Sequence, residues 1–203
     1  MNLAALLHPA LALALAPLLP GVINRTKAFF AGRRGPPLLQ AYFDLGKLFR
    51  KGAVYSRTTT WVFRAGPLVN FACLLAALAW VPLGRVPALF SFEGDLLLLA
   101  YLLGLGRFFT ALAALDTGSS FEGMGASREV QFAVFAEPAL LIGLAALARH
   151  AQSLSLSTVY AGLSATAWAG ALPTGVLLCA GLFVLFLAEN CRIPVDDPNT
   201  HLE

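Results

Sequence analysis

The sequence predicts an all-α membrane protein, a polytopic bundle of about five transmembrane helices with one amphipathic helix at the membrane interface. Hydrophobic residues make up 58% of the 203 residues and charged residues only 12%, against about 25% charged residues in soluble domains. Mean hydropathy is +0.74. Apolar runs recur that are long enough to cross about 30 Å of hydrocarbon. We therefore expect a single membrane domain over residues 1–203.

Each apolar run is assigned to a span by its length and by the charges that flank it. We predict spans at about 3–23, 65–81, 96–115, 130–148 and 172–187. The first run has no basic residues before it and many after it, the reverse of a secretory signal, so we interpret it as a retained span.

Basic residues mark the cytoplasmic side. Nine of the fourteen Lys and Arg lie between Arg25 and Arg64, and the positive-inside rule places such a block in the cytoplasm. The predicted cytoplasmic loops are 25–64, 116–129 and 189–203, with the N-terminus outside and residue 203 inside. The less apolar stretch 154–170 is interpreted as an outer connector. If it crossed the membrane, the tail would lie outside.

The basic block also contains the predicted amphipathic helix. Its apolar residues recur near helical period, and its polar residues follow another face: Gln40, Asp44, Lys47 and Lys51. This pattern, after Gly35 and Pro36, favours a helix lying in the membrane interface. A basic loop against anionic lipid is the alternative.

Carboxylates inside apolar runs are costly and indicate function. Arg107 lies about 12 Å from the cytoplasmic end of the third span, and Glu137 about 10 Å into the antiparallel fourth, so they could meet at one depth. Such a pair could be structural only. Glu129 and Glu137 share one broad helix face, where carboxylates bridged by water could pass a proton. Glu189 and Glu203 could extend this series of proton-passing carboxylates. Glu189 alone could also be an acid at a helix end that is solvated by lipid headgroups.

Several other kinds of site are disfavoured. The three cysteines are isolated, so we expect no disulfide, zinc site or iron-sulfur cluster held by this chain. Asp196, Asp197 and His201 lack a known metal-site spacing, and the nearby prolines suggest a rigid loop that docks on a partner. Nucleotide-binding and hydrolase motifs do not occur. The basic block is not interpreted as a nucleic-acid surface.

Three long motifs resemble one known family, the membrane subunit shared by respiratory complex I (its subunit 1) and group 4 nickel-iron hydrogenases. The formate hydrogenlyase and hydrogenase 4 type is most similar. The motifs are GRRGPPLLQAYFDLGKLFRK (32–51), FEGMGASREVQFAVFAEPALL (121–141) and AENCRIPVDDPNTHLE (188–203). The spans between them fit as well, so the resemblance covers nearly the whole chain.

The resemblance implies an all-helical subunit that anchors a peripheral electron-transfer arm and lines a proton route. The matching positions are Asp44, the Arg128 and Glu137 pair, and Glu189, Arg192, Asp196 and Glu203 in the last motif. In complex I relatives the last motif borders a quinone cavity. Here it reads RIPVDDPNTHLE, and Ala41 replaces the usual proline, two departures that argue against quinone binding. Family chains continue further, so we expect the functional protein to extend beyond Glu203.

The predicted function is a membrane-anchor and proton-path subunit, itself without a catalytic residue, of a formate hydrogenlyase or hydrogenase 4 type complex in the bacterial inner membrane. The nickel-iron centre and the iron-sulfur clusters would lie in partner subunits. Expected partners are hydrogenase large and small subunits, iron-sulfur subunits and antiporter-like membrane subunits. The alternatives are a quinone-site subunit of a complex I-like enzyme and a stand-alone ion transporter, the latter weakened by the lack of an inverted repeat.

Overall fold

The structure is a computed structural model that describes residues 3–83, 86–164 and 168–190, with side chains from Leu7 onward. These residues form eight α-helices and one 3₁₀ turn, Ala169–Ala171. The α-helices are α1 (Leu3–Leu15), α2 (Leu18–Phe30), α3 (Gln40–Leu48), α4 (Trp61–Trp80), α5 (Asp95–Asp116), α6 (Ser120–Ala151), α7 (Leu156–Ala161) and α8 (Leu172–Glu189). The predicted all-helical class is confirmed.

Five segments of the described residues are long and apolar enough to cross a membrane, as predicted. They are Leu7–Phe30, Trp61–Trp80, Asp95–Asp116, Ser120–Ala151 and Ala169–Glu189. Helix α7 has six residues, about 9 Å of helix, and is too short to cross about 30 Å of hydrocarbon.

The chain divides into two compact units, residues 1–55 and residues 56–203. In the first unit, α2 passes the predicted end of its span and continues to Phe30. It ends in a Schellman motif: Gly32 has φ +64°, Arg33 N–H donates to Ala28 O at 3.0 Å, and Gly32 N–H donates to Phe29 O at 3.1 Å. Glycine adopts this left-handed conformation without the penalty that a Cβ would bring.

Helix α3 of the first unit occupies the segment predicted to be amphipathic. The backbone before it packs closely on α2, since a Cβ at Gly21 would lie 2.0 Å from Leu38 O. The Tyr42 hydroxyl donates to Ala14 O. The helix is therefore observed, whereas its location in the membrane interface stays a prediction.

In the second unit, α4 and α5 form a closely packed antiparallel pair. A Cβ at Gly66 would lie 2.6 Å from Ala113 Cβ and 3.0 Å from Phe109 O. Asp116, at the end of α5, accepts hydrogen bonds from Thr60 N at 2.7 Å and from Phe63 N at 3.1 Å. These N–H groups belong to the first turn of α4, where a helix has no acceptors of its own. Asp116 therefore fixes the start of α4 against the end of α5.

The opposite end of this unit is held by Asp95, whose side chain is fully buried. Its carboxylate accepts from Leu156 N at 2.6 Å and from Ser155 Oγ at 3.2 Å. A small apolar core surrounds this end, formed by Leu96, Leu144, Ala148 and Leu156. The connector after α6 is thereby attached to the start of α5.

One predicted loop is shorter than expected. The sequence predicts a loop at 116–129, whereas α6 begins at Ser120, ten residues before the predicted span at 130. Ser119 supplies an N-cap residue and Glu122 an acid in the first turn, both of which favour a helix start. Glu129 therefore lies inside a helix that begins well before it.

Candidate functional site

The candidate site is an ion-pair cluster around Arg107, in the second unit. Its guanidinium contacts three carboxylates. Nε lies 3.3 Å from Glu129 Oε1, Nη1 lies 3.3 Å from Glu137 Oε1, and Nη2 pairs with Glu189 Oε2. The arginine belongs to α5, two of the acids to α6 and the third to α8. Three transmembrane helices therefore meet at one side chain.

Helical geometry explains why one arginine reaches both acids of α6. Glu129 and Glu137 are eight positions apart, about 12 Å along the axis and about 80° around it. The long, planar guanidinium presents donors in several directions, so it can contact one acid with Nε and the other with Nη1. The expected meeting of Arg107 and Glu137 at one depth is therefore observed as a contact.

Burial differs between the arginine and its partners. The Arg107 side chain is only 15% exposed, whereas those of Glu129, Glu137 and Glu189 are 44%, 49% and 35% exposed. One positive charge balances one of the three negative charges when all are ionised. The cluster therefore carries an excess of negative charge when all three carboxylates are ionised.

A large cavity of about 890 Å³ opens beside the cluster. Arg107, Glu129 and Glu189 line it. Its other polar lining residues, on α4, α5 and the end of α8, are Asn70, Thr110 and Asn190. The cavity is large enough for water, which needs about 30 Å³ per molecule in the liquid.

Glu137 faces a second cavity of about 510 Å³, lined also by Tyr101 and Phe108. The carboxylate lies directly against α5, since a Cβ at Gly104 would be in ordinary van der Waals contact with Glu137 Oε1 at 3.5 Å. Arg107 thus contacts an acid of the second cavity while it lines the first. Charge rearrangement around one guanidinium could link the two cavities.

Arg128 and Glu137, which match one motif of the family, lie on the same helix, α6. Nine positions on one helix correspond to about 13.5 Å along the axis and to opposite sides of the helix. The Arg128 guanidinium carbon instead lies 5.5 Å from the centre of the Phe132 ring. The arginine in contact with Glu137 is Arg107.

The predicted residues of the basic block lie in the first unit. Gly35 and Pro36 precede α3, which begins at Gln40. Gln40 Nε2 donates to Asp44 Oδ1 at 2.9 Å, and Lys47 Nζ lies 3.9 Å from the same oxygen. Asp44 is therefore part of a local polar group on α3.

The predictions for the last motif beyond α8 lie outside the described residues. They concern Arg192, Asp196, Asp197 and Glu203.

Three polar residues that sequence reasoning missed have defined positions. Asn70 lines the large cavity, while Asp95 and Asp116 hold the two ends of the α4 and α5 region as described above. A lone amide in the middle of an apolar run was an available signal for Asn70. The two aspartates are the first and last residues of α5. An acid at the end of a helix is usually assumed to be exposed to solvent, so the sequence contained no sign of their contacts.

Comparison with known proteins assigns this chain to a family. The family profile described as NADH dehydrogenase matches residues 2–203. Formate hydrogenlyase subunit 4 of Escherichia coli K12 is 37% identical over 183 residues, which are 90% of this chain and 59% of that protein. Hydrogenase-4 component C of the same organism is 38% identical over 192 residues, covering 95% of this chain and 60% of that protein.

A more distant sequence relative and a solved structure are also similar to this chain. An NADH-quinone oxidoreductase subunit of Anaplasma phagocytophilum is 29% identical, with 89% of this chain and 58% of that protein covered. A chain in the structure of the membrane-bound sulfane sulfur reductase, an archaeal respiratory membrane complex, superposes with a TM-score of 0.76 at 24% identity. That match covers 92% of this chain and 61% of the other, and it shows the fold. The chain thus spans about three fifths of the length of these relatives.

Proposed function

Since this chain belongs to the NADH dehydrogenase family, that of complex I subunit 1, we propose that it is a membrane-anchor and proton-path subunit of a multisubunit oxidoreductase. The complex is of the formate hydrogenlyase or hydrogenase 4 type. This choice follows the two relatives at 37% and 38% identity. The chain would couple electron transfer in a peripheral arm to proton movement through its helix bundle.

The Arg107 cluster is the observation that carries the proposal. Three carboxylates converge on one guanidinium from two other helices. One cavity is lined by Arg107, Glu129 and Glu189, and a second is lined by Glu137. Ionised groups within spans are expensive and are typical of proton routes. A purely structural arginine would need one carboxylate partner for charge balance, so the two additional acids favour a role in which charge changes.

The proposed route begins at the first and last of the three family motifs, residues 32–51 and 188–203, which are predicted to lie in the cytoplasm. A redox change in the peripheral arm would alter the protonation of Asp44 and Glu203, and then of Glu189, Glu137 and Glu129. Within this route Arg107 exchanges partners, because a carboxylate that binds a proton loses most of its attraction to the guanidinium. The released guanidinium then favours the carboxylates that remain ionised.

The same proposal extends to partners and location. Hydrogenase large and small subunits and iron-sulfur subunits would dock on the cytoplasmic motifs and carry the nickel-iron centre and the clusters. Antiporter-like membrane subunits would lie beside the bundle in the bacterial inner membrane. The N-terminus would lie outside and residue 203 in the cytoplasm.

The identity of the complex is tested by purification. The tagged gene product is isolated from native membranes in mild detergent, and the co-purifying material is assayed for nickel, iron and hydrogen evolution. We expect nickel together with hydrogenase activity. Iron and flavin without nickel, together with quinone-dependent NADH oxidation, would instead show a complex I-like enzyme. A metal-free chain found alone that transports ions in liposomes would show a transporter.

Proton coupling is tested in the assembled complex with Glu137→Gln, which keeps the shape of the side chain and removes its ionisation. We expect proton movement per electron transferred to fall, with assembly preserved. Glu122→Gln is the matched control, since Glu122 lies in the first turn of the same helix and is exposed. Unchanged coupling in a correctly assembled Glu137→Gln complex would contradict the proposed route.

A further inference from the structure

Asn70 brings a fourth helix to the large cavity. It is the tenth of the 20 residues of α4, and its neighbours Val69 and Phe71 are apolar. The residue is half-buried. It lines the same cavity as Arg107, Glu129 and Glu189. An amide at this depth of a span is costly unless it is hydrogen-bonded.

Close packing on α5 holds the Asn70 side chain in place. A Cβ added at Gly106 would lie 2.6 Å from Asn70 Oδ1 and 3.5 Å from Asn70 Cγ. Only a glycine at 106 therefore leaves room for the amide in this position. Gly106 directly precedes Arg107 in the chain. The Asn70 amide therefore packs against α5 next to the backbone of Arg107.

The hydrogen bonds of the Asn70 amide would have to come from water in the cavity that it lines. Among the described residues, no hydrogen bond to a protein group is formed by the Asn70 side chain. The nearby Thr110 hydroxyl donates to Gly106 O at 2.9 Å, so its proton is already used. An amide can donate and accept at the same time, which suits it to orient water in a cavity of this size.

We propose that Asn70 is a positioning residue for proton movement, which holds water against the Arg107 cluster from the α4 side of the cavity. The amide cannot ionise in the physiological range, so it would order the water without competing for the proton. The acids that exchange the proton are Glu129 and Glu189, which line the same space. This inference rests on the proposed function and names a further residue of the same route.

The test compares two substitutions of nearly the same shape, Asn70→Val and Asn70→Thr, in the native complex in its membrane. Only the threonine retains a group that can bond water. The readouts are hydrogen evolution per nickel, which corrects for the amount of assembled complex, its pH profile and its solvent deuterium isotope effect. Leu68→Val is the matched control, because Leu68 lies on the same helix and is 70% exposed.

We expect Asn70→Val to lower the rate per nickel about three- to tenfold, the factor for the loss of an ordinary hydrogen bond. It should also increase the isotope effect and shift the pH profile, while Asn70→Thr recovers most of the rate and Leu68→Val matches the unmodified complex. Equal rates, isotope effects and pH profiles for the valine and threonine variants would overturn the inference.

A parallel Glu137→Gln measurement separates the two proposals. If Glu137→Gln reduces coupling while the Asn70 pair behaves alike, only the role of Asn70 is wrong. If Glu137→Gln leaves coupling unchanged, the proposed proton route itself fails.

Discussion

Arg107 Nε lies 3.3 Å from Glu129 Oε1, a contact between α5 and α6. The same guanidinium also contacts Glu137 and Glu189. A single planar group therefore serves acids at different heights on two other helices. Lysine could not reproduce this arrangement, because its ammonium is a compact charge on a flexible stem.

Arg107→Lys should preserve the charge of the cluster but lose part of its contacts. We expect the complex to assemble and its proton-coupled rate to fall by about tenfold or more, since each charged hydrogen bond contributes about 1.5–3 kcal/mol. The amount of complex is followed by native gel electrophoresis and the rate by hydrogen evolution per nickel. Arg149→Lys, on the exposed last turn of α6, is the control. An Arg107→Lys rate equal to that control would show that the fork geometry is unimportant.

Asp95→Ala should destabilise the end of the second unit at which α5 begins. The substitution leaves the buried Leu156 N–H without its acceptor, at a cost of about 1–3 kcal/mol. Asp95→Asn keeps one carbonyl oxygen for this N–H and should lose less. Thermal unfolding of the detergent-solubilised protein measures both, and the prediction fails if the alanine variant unfolds at the midpoint of the asparagine variant.

Gly66→Ala should loosen the α4 and α5 pair, because the added Cβ would lie 2.6 Å from Ala113 Cβ. Overpacking of this kind costs about 1–3 kcal/mol. Gly181→Ala in α8 provides the comparison, since a Cβ there meets no atom of the described chain within 4 Å. We expect a lower thermal midpoint for the first variant and an unchanged or slightly higher midpoint for the second. Equal thermal midpoints for the two variants would show that α4 and α5 accommodate the added methyl group without loss of stability.

Membrane orientation gives a further prediction, which follows from the basic block. In a background without the three native cysteines, Phe121→Cys should be labelled by an impermeant thiol reagent from the cytoplasmic side, and Gly170→Cys from the outside. Phe121 is 77% exposed, and nothing lies within 4 Å of a Cβ at Gly170. Inverted labelling of spheroplasts and inside-out vesicles would reverse the proposed topology.

Helix ends show where sequence reasoning reached its limit. The helices α2 and α6 each extend several residues beyond the spans that the sequence predicts. The N-cap Ser119 was visible in the sequence, but the Gly- and Ser-rich composition around it suggested a loop. The roles of Asp95 and Asp116 could not be predicted for another reason. Backbone N–H groups that donate to their carboxylates belong to segments far away in the chain.

The sequence by itself determined the all-helical membrane class, the five spans and the family, because hydropathy, charge placement and motif spacing are local properties of the chain. The sequence also predicted that Arg107 and Glu137 lie at one depth, since the rise per residue of a helix is fixed. Only the tertiary structure decided that Glu129 and Glu189 join the same guanidinium and that Asn70 faces their cavity. Those contacts depend on how each helix is rotated about its axis, which is set by close approaches such as Gly106 against Asn70 and cannot be derived from the depth of a residue in its span.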